Sequence, residues 1–375
     1  MTSKIYVDNN ATTPIDPSVV QAVTEELLKG PRNPSSIHFF GQEAKKRLVS
    51  SRQTIAQFLG VKASEILFTS GGTESMHLLI RGMQTQGHVI TTDLEHPCVY
   101  ENMKQLPRVS FLSPGLRGAP SPDQIAAAIR RDTSLIVLSA ANGETGIKLD
   151  LEAVAHVARK ANIPLIIDGV ALLGKERFTI PSGVTAMGFS GHKIHGPKGI
   201  GFVYLRSNTP LSPLFIGGYQ EYHFRAGTEN LPGIVGLERA ISLLEENIER
   251  DTAHMKKLRD LLETILFKAL PTLKINGTGT RIVNTSNLCF PGIDGESLLI
   301  HLDMLGIAAS HATACSSGAL EVSRVLLNMG IPKSEAHCSL RFSFSRMNTE
   351  EEVLKITQSI VAVIKHRKDA TISNK

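Results

Sequence analysis

Between residues 60 and 206 the chain alternates short apolar runs, rich in strand-forming residues, with stretches of helical pattern. Apolar strands that alternate with helices indicate an α/β fold, in which a mostly parallel sheet is covered by helices on both faces. The predicted strands are 66–69, 88–92, 109–112, 135–138, 164–167, 186–189 and 201–204, and the predicted helices include 73–83, 122–130 and 151–162. Ligands of such sheets bind beyond the carboxyl ends of the strands, so the residues that follow these runs are the first candidates for a site.

A long helical pattern over residues 231–270 predicts a helix that leads out of this first unit. The remainder mixes strand patterns at 287–290 and 340–344 with helical patterns at 296–305 and 350–365, which is typical of a smaller α+β domain. We therefore expect two domains. The large domain is expected at residues 15–255, and the small C-terminal domain at residues 1–14 and 256–375, where it carries the loop around Cys315.

Composition and charge exclude several classes of protein. The 375 residues are 42% hydrophobic and 20% charged, with a net charge of +5 and no run of basic residues typical of a nucleic-acid surface. No apolar stretch is long enough to span a bilayer, and the first residues do not resemble a signal peptide. The four cysteines have no spacing typical of a metal site. We therefore expect a cytoplasmic protein without a nucleic-acid, membrane or metal partner.

The segment 190–201 places a lysine, Lys193, among glycines directly after the apolar run 186–189. A lysine held at the end of a buried strand loses part of its hydration, and its amine can then form a Schiff base with a carbonyl compound. Ser190 and His192 lie close by in the sequence and supply donors suited to a phosphate. The alternative is an ordinary exposed lysine in a turn.

The ends of three other predicted strands carry polar residues of the kinds that such a carbonyl cofactor needs. Gly72 and Thr73 follow the first strand at a predicted helix start, where free main-chain N–H groups bind anions. His96 supplies an imidazole after the second strand, and Asp168 supplies a carboxylate that is costly to bury without a cation. Together with Lys193 they provide the contacts of pyridoxal phosphate, namely phosphate, ring face, ring nitrogen and aldehyde.

Over nearly its whole length the chain resembles the NifS-like cysteine desulfurases, the class V branch of the fold-type-I pyridoxal-phosphate enzymes. The matching segments are 6–14 (YVDNNATTP), 33–36 (NPSS), 68–75 (FTSGGTES), 95–96 (EH), 190–201 (SGHKIHGPKGIG), 225–230 (RAGTEN), 314–317 (ACSS) and 348–352 (NTEEE). The resemblance implies a large domain with a mostly parallel seven-stranded sheet and a smaller α+β domain.

The resemblance also implies roles for individual residues. Lys193 is expected to bind pyridoxal 5'-phosphate covalently, Asp168 to pair with its ring nitrogen, and His96 to stack on the ring. The residues expected to bind the phosphate are Gly72, Thr73, Ser190 and His192 of one subunit and Thr228 of a second subunit, which implies a homodimer with shared active sites. The substrate L-cysteine is expected to bind through its carboxylate to Arg341, with help from Asn33.

Cys315 lies among small and polar residues, which indicates an open loop, and its position matches the nucleophile of the family. The implied reaction converts L-cysteine to L-alanine and leaves the sulfur as a persulfide on Cys315. The sulfur then passes to an acceptor such as an iron–sulfur scaffold protein, for iron–sulfur cluster assembly or a related pathway. Cys98, Cys289 and Cys338 are interpreted as small hydrophobic residues.

The chain departs from the family at two positions beside the cofactor. Gly143 stands where the family has an asparagine, and Ala171 stands where it has a glutamine, so two side-chain donors to the cofactor's phenolic oxygen are missing. Asn142 or a water is a candidate replacement. Three alternative interpretations therefore remain open: a selenocysteine lyase, another class V pyridoxal-phosphate enzyme such as an aminotransferase, and a catalytically weakened relative that acts as a binding subunit.

Overall fold

The computed structural model describes residues 4–83, 86–311 and 322–373 of the chain. The helices are α1 (Pro17–Leu28), α2 (Phe39–Leu59), α3 (Gly72–Gly82), α4 (Pro97–Lys104), α5 (Pro122–Ala128), α6 (Leu151–Lys160), α7 (Leu231–Ala269), α8 (Gly295–Met304), α9 (Arg324–Asn328), α10 (Lys333–His337) and α11 (Glu350–Ser373). The strands are β1 (Ile5–Tyr6), β2 (Ile66–Thr69), β3 (His88–Thr92), β4 (Val109–Leu112), β5 (Thr133–Ser139), β6 (Leu165–Asp168), β7 (Ala186–Ser190), β8 (Gly201–Leu205), β9 (Lys274–Ile275), β10 (Thr285–Cys289), β11 (Ile307–Ala308) and β12 (Ser339–Ser343). Across the described ranges, each helix is too short or too polar to cross a membrane.

Seven strands form the main sheet in the order β2-β8-β7-β6-β5-β3-β4. All neighbouring strands in it are parallel except β8, which is antiparallel to both β2 and β7. The strands β2, β3, β5, β6 and β7 therefore end at the same edge of the sheet. The seven predicted strands and the α/β fold class are confirmed, and the edge at which these strands end is where a ligand is expected.

Both faces of the main sheet are buried, which explains why its strands read as continuous apolar runs. Along β8, Phe202 and Tyr204 pack with α1, α2, α6 and α7 on one face. Val203 and Leu205, which alternate with them, pack with α3 and α4 on the other face. The rings of Phe189 and Phe202 stack with centroids 4.6 Å apart, and each buried side chain of this size contributes about 1.5–3 kcal/mol to stability.

A second hydrophobic core lies outside the main sheet. It joins residues from β1, the second half of α7, β10, α8, β12 and α11, including Ile5, Leu258, Phe342 and Ile360. The predicted helix over 231–270 is confirmed as α7, a single helix of 39 residues that packs into both cores. We propose the domain division expected from the sequence, with residues 15–255 in one domain and residues 1–14 and 256–375 in the other, because these two cores support it.

Candidate active site

A cavity of about 340 Å³ opens at the edge where the parallel strands end. It brings together eight of the predicted site residues, which are Gly72, Thr73, His96, Asp168, Ser190, His192, Lys193 and Arg341. A larger cavity of about 600 Å³ lies near the starts of α5 and α6 and contains none of them. The chemistry suggested by the sequence therefore belongs to the smaller cavity.

Lys193 lies in the short helical turn Gly191–Lys193 that directly follows β7. Its Nζ atom donates hydrogen bonds to the main-chain oxygens of Asn10 and Ala11, the second at 2.8 Å. Both carbonyls belong to the N-terminal segment, which also lines the cavity. This segment holds the lysine amine at the cavity wall, a contact that the sequence analysis did not predict.

Asp168 is the last residue of β6, and His96 is the N-cap of α4. Burial raises the pKa of the Asp168 carboxyl, while the nearby His96 and Lys193 lower it. Burial also lowers the pKa of His96, and the carboxylate of Asp168 opposes that shift. Oδ1 of Asp168 accepts a hydrogen bond of 3.0 Å from the main-chain N–H of Val170. A cation placed in the cavity beside Asp168 would therefore stabilise its ionised form.

The first turn of α3 lies at the cavity wall, and its first main-chain N–H groups precede the helix's own hydrogen bonds. Its N-cap residue, Gly71, has a φ of 153°, and within the described ranges no side chain caps this end of the helix. A β-carbon at Gly71 would lie 3.7 Å from Oγ of Ser190, so glycine leaves this corner open. Gly72 and Thr73 begin the helix at the cavity wall. Free N–H groups and the positive end of the helix dipole make this corner suitable for a phosphate.

Ser190 and His192 complete this corner from the other side of the sheet edge. Burial, together with the charges of Lys193 and Lys198, lowers the pKa of His192 to about 4. His192 is therefore neutral near pH 7. Its Nδ1 lies 3.1 Å from Oγ1 of Thr12, within hydrogen-bonding distance. A neutral imidazole beside a hydroxyl can donate one hydrogen bond to an anion without adding charge to the already cationic neighbourhood of Lys193.

Arg341 lies on β12, outside the main sheet, and is only 5% exposed. Its Nη2 pairs with Asp8 at 2.5 Å, and its Nη1 donates to the main-chain oxygen of Gly143 at 3.1 Å. Within the described part of the chain, its Nε is buried without a hydrogen-bond partner. A buried donor that lacks a partner is costly. An anionic ligand in the cavity can supply the missing acceptor.

Glu95 and Lys175 are two of the buried ionisable residues of the cavity that the sequence analysis missed. Burial raises the pKa of Glu95 to about 7. Burial also lowers the pKa of Lys175 to about 8, and the charge of Lys193 adds to that effect. The first could have been suspected from its place beside His96. The second carried no local signal beyond its position seven residues after Asp168.

The structure brings the two departures from the family pattern together. A β-carbon at Gly143 would lie 3.9 Å from Cβ of Ala171, so the two positions face each other across the cavity wall. Asn142, the candidate replacement, also lines the cavity, and its amide nitrogen has two N–H groups, one of which bonds nearby. Its Nδ2 donates to the main-chain oxygen of Leu94 at 3.0 Å, and its Oδ1 accepts from the main-chain N–H of Glu144 at 2.9 Å. Its role toward the phenolic oxygen stays a prediction.

The outcomes for the remaining predicted residues differ. Asn33 and Thr228 are exposed and do not line the cavity, so their roles stay predictions. Cys315 lies outside the described residues. Cys289 is fully buried, as expected, and burial raises its pKa to about 11. Cys98 was interpreted as a packing residue, whereas the structure places its sulfur 3.0 Å from Nδ1 of His96 at the cavity wall.

Comparison with known proteins gives a consistent assignment. Residues 5–356 match the model of the family described as aminotransferase class-V. The chain is 40% identical over 372 residues to a cysteine desulfurase of Nostoc sp., a match that covers 96% of this chain and 93% of that protein. A solved NifS-like protein superposes with a TM-score of 0.90 at 33% identity and covers 97% of this chain and 100% of its own.

A further solved structure, described as SspA in complex with cysteine, superposes with a TM-score of 0.77 at 28% identity. The match covers 92% of this chain and 100% of that one. The sequence resemblance, the cavity at the edge of the main sheet and these matches all indicate the same family. The chain belongs to the class-V aminotransferase family, in its NifS-like cysteine desulfurase branch.

Proposed function

We propose that the chain is a pyridoxal-phosphate-dependent cysteine desulfurase, which converts L-cysteine to L-alanine and transfers the sulfur to Cys315. The observation that carries this proposal is the single cavity in which the amine of Lys193, the buried carboxyl of Asp168 and the unpartnered Nε of Arg341 meet. An amine, an acid and an anion-binding guanidinium are the groups that amino-acid chemistry on this cofactor requires.

The residues of the cavity fit pyridoxal phosphate. The uncapped start of α3 at Gly71, with Thr73 and Ser190, suits the phosphate, and the buried Asp168 suits a protonated ring nitrogen. Lys193 would hold the aldehyde carbon covalently. When bound, this cofactor supplies an electron sink that weakens the bonds at the α-carbon of an amino acid.

The remaining chemistry belongs to side chains of the protein. Arg341 would bind the substrate carboxylate through its free Nε, with Asn33 as a further contact. The amine of Lys193 would take the α-proton and later return a proton to the product, and His96 would assist these transfers. The thiolate of Cys315 would attack the substrate sulfur. The carbon–sulfur bond then breaks, a persulfide forms on Cys315, and the β-carbon takes up a proton to give alanine.

We further propose a homodimer in which Thr228 of each subunit contacts the phosphate of the other. Two large apolar side chains near it in sequence support this, because Ile216 is 91% exposed and Tyr219 is 81% exposed in the single chain. Exposed apolar groups of this size are typical of a protein interface. A sulfur-acceptor or iron–sulfur scaffold protein would be the second partner, which takes the sulfur from Cys315.

The function is tested with purified protein loaded with pyridoxal phosphate. We expect a yellow protein that releases alanine from L-cysteine and, with a reductant, sulfide. Lys193→Ala should abolish both products, while the matched control Lys198→Ala, an exposed lysine a few residues further on, should retain them. Cys315→Ala should abolish sulfide release, and Cys338→Ala should not.

The outcomes separate the alternatives. A protein that stays colourless with added cofactor would contradict the enzyme assignment and favour a binding subunit. Sulfide release that is unchanged in Cys315→Ala would contradict the persulfide step. A much higher turnover of L-selenocysteine, unaffected by the same substitution, would favour a selenocysteine lyase.

A further inference from the structure

The thiol of Cys98 forms a pair with the imidazole of His96 inside the candidate active site. Cys98 is the second residue of α4, and His96 is its N-cap. The Nδ1 atom of His96 accepts the main-chain N–H of Cys98 at 3.2 Å and lies 3.0 Å from its sulfur. A nitrogen that accepts an N–H bond carries no proton of its own, so the thiol of Cys98 is the donor of the second contact.

The surroundings of this pair favour a thiolate. The start of α4 places the positive end of a helix dipole beside Cys98. The guanidinium of Arg324 donates to the main-chain oxygen of Glu95, one residue before the N-cap. Of the charged groups that act on the imidazole of His96, Asp168 raises its pKa, whereas Lys193 and Arg324 lower it, so these two cations favour the thiolate by attraction and not by making His96 more basic. A partly exposed cysteine beside a base, a helix start and a cation has the features of a reactive thiol.

The chain itself offers contrasting cysteines. Cys289 is fully buried on β10, and burial raises its pKa to about 11, so it is expected to be inert. Cys338 is partly exposed like Cys98, but it follows the C-terminal end of the short helix α10 instead of lying at a helix start. Cys338 is therefore a control for the reactivity of Cys98, because both thiols are partly exposed and Cys338 does not lie at a helix start.

A second observation points to a ligand in the same cavity. Arg341 lines it, is 5% exposed, and has a buried Nε without a partner among the described residues. Such a donor calls for an acceptor from a bound molecule. A small carboxylate that also carries reactive sulfur would satisfy Arg341 and could present its sulfur to Cys98 within one cavity of about 340 Å³.

We propose that Cys98 is a second sulfur-accepting thiol of this site, activated by His96, and that its donor is a small persulfide bearing a carboxylate. The thiol proton passes to Nδ1 of His96, and the thiolate attacks the outer sulfur of the donor. The sulfur–sulfur bond of the donor breaks, a persulfide forms on Cys98, and the donor leaves as a thiolate that takes the proton from His96. One sulfur atom moves and no external oxidant is needed.

This proposal rests on the proposed function for its sulfur chemistry, but its test needs neither turnover nor Cys315. The cofactor-loaded Cys315→Ser variant is treated with cysteine persulfide, its thiols are then blocked with iodoacetamide, and its peptides are analysed by mass spectrometry. We expect the peptide with Cys98 to gain the mass of one sulfur atom and the peptide with Cys338 to gain none. His96→Ala should slow the gain at Cys98 by about tenfold or more.

The rate at which each thiol is alkylated gives an independent measurement, which needs no substitution of His96. In the Cys315→Ser variant at pH 7, iodoacetamide should alkylate Cys98 about tenfold faster than Cys338, because the alkylation rate follows the thiolate fraction. Equal rates at the two cysteines, or a persulfide spread equally over both, would overturn the proposal. A persulfide on Cys98 of the Cys315→Ser variant, combined with no alanine from L-cysteine in the unsubstituted protein, would overturn only the proposed function.

Discussion

The Nζ atom of Lys175 donates a hydrogen bond of 3.3 Å to the main-chain oxygen of Lys193. Lys175 is 5% exposed, and burial, reinforced by the charge of Lys193, lowers its pKa to about 8. Because the repulsion of two cations is mutual, a charged Lys175 also disfavours the charged form of the Lys193 amine. Lys175 thus holds the main chain at Lys193 and makes the amine of Lys193 easier to deprotonate.

Replacement of this buried cation should stabilise the fold in a pH-dependent way. Lys175 is charged in the unfolded chain up to its ordinary pKa near 10.4, whereas the folded state disfavours the charge above about pH 8. Its full cost to stability is therefore present below pH 8 and disappears as the pH rises to the unfolded value. Lys175→Met should raise the free energy of unfolding at pH 7 by about 1–3 kcal/mol.

Urea unfolding at pH 7 and near pH 10 checks this expectation, with the exposed Lys198→Met as the control. The gain from Lys175→Met should shrink at the higher pH, while the control should change little at either. An equal gain at both pH values would show that the effect comes from packing rather than from the buried charge.

Glu95 should have the opposite pH dependence. Oγ1 of Thr92 donates to its carboxyl at 2.7 Å, and Ser139 donates to its other oxygen, yet burial still raises its pKa to about 7. The folded state keeps the proton up to about pH 7, while the unfolded chain loses it above its ordinary pKa near 4.3. Glu95 therefore lowers the stability of the fold progressively as the pH rises through that window, and the cost is complete above pH 7.

Glu95→Gln removes this titration and retains groups that can bond both hydroxyls. We expect the variant to gain roughly 2–3 kcal/mol of unfolding free energy relative to the parent between pH 5 and pH 8. Glu101→Gln, on the exposed side of α4, serves as the control. Parallel pH profiles of parent and Glu95→Gln would contradict a buried, protonated carboxyl.

The strands of the main sheet and several residues of the site could be predicted because their signals lie in short stretches of the sequence. The seven strands are apolar runs bounded by polar residues; Asp168 is the last residue of one of them, and Lys193 lies in the turn after another. The contact of Lys193 with the main-chain oxygen of Asn10 joins residues 183 positions apart, and no local pattern encodes it. Burial of Lys175 was equally hidden, because charged residues are exposed in most proteins.

Cys98 shows how a local signal was overlooked. The sequence His96-Pro97-Cys98 has a capping residue followed by a proline suited to the first helical position, so a helix start could have been predicted. A side chain at the N-cap turns back toward the second and third residues of its helix, which brings the imidazole to the thiol. The interpretation as a packing residue considered neighbouring composition and not helix geometry.

The ion pair of Arg52 and Glu221 holds an unusual turn, which follows the exposed side chains of Ile216 and Tyr219 in the sequence. Arg52 and Glu221 are both buried and form two hydrogen bonds of 2.7 Å. Glu221, Tyr222 and His223 all have positive φ values, of 45°, 55° and 70°. Left-handed backbone costs about 1–2 kcal/mol for each such residue, so the ion pair must offset a strained turn.

Loss of Arg52 should therefore be strongly destabilising. Arg52→Met leaves the carboxylate of Glu221 buried, and among the described residues only the main-chain N–H of Phe68, at 2.8 Å, remains as its partner. We expect a loss of about 3–5 kcal/mol in unfolding free energy. Arg108→Met removes one member of an exposed pair with Asp132 and should cost less than about 0.5 kcal/mol. Equal effects of the two substitutions in urea unfolding would show that the Arg52 pair does not stabilise the turn.

Restoring one of the two missing hydrogen-bond donors, at position 143, should lower the pKa of the Lys193 nitrogen in the cofactor-loaded protein. Gly143 has no positive φ, and a β-carbon there would lie 3.9 Å from Cβ of Ala171, so the wall has room for a side chain. In Gly143→Asn an amide N–H can bond the phenolic oxygen of pyridoxal phosphate. That bond draws negative charge from the oxygen, which then holds the proton on the Lys193 nitrogen less strongly. The pKa of that nitrogen should fall by about 1–2 units.

The change is measured by absorbance as a function of pH in protein loaded with the cofactor, so it does not depend on turnover. Gly292→Asn, in an exposed loop, is the control, because asparagine tolerates the left-handed φ of 79° at that position, and it should leave the midpoint of the titration where it is. An unchanged midpoint in Gly143→Asn would mean that another donor already serves the oxygen. A lowered midpoint would mean that the nitrogen of Lys193 is more basic in this protein, which has Gly143, than in a protein with asparagine at that position.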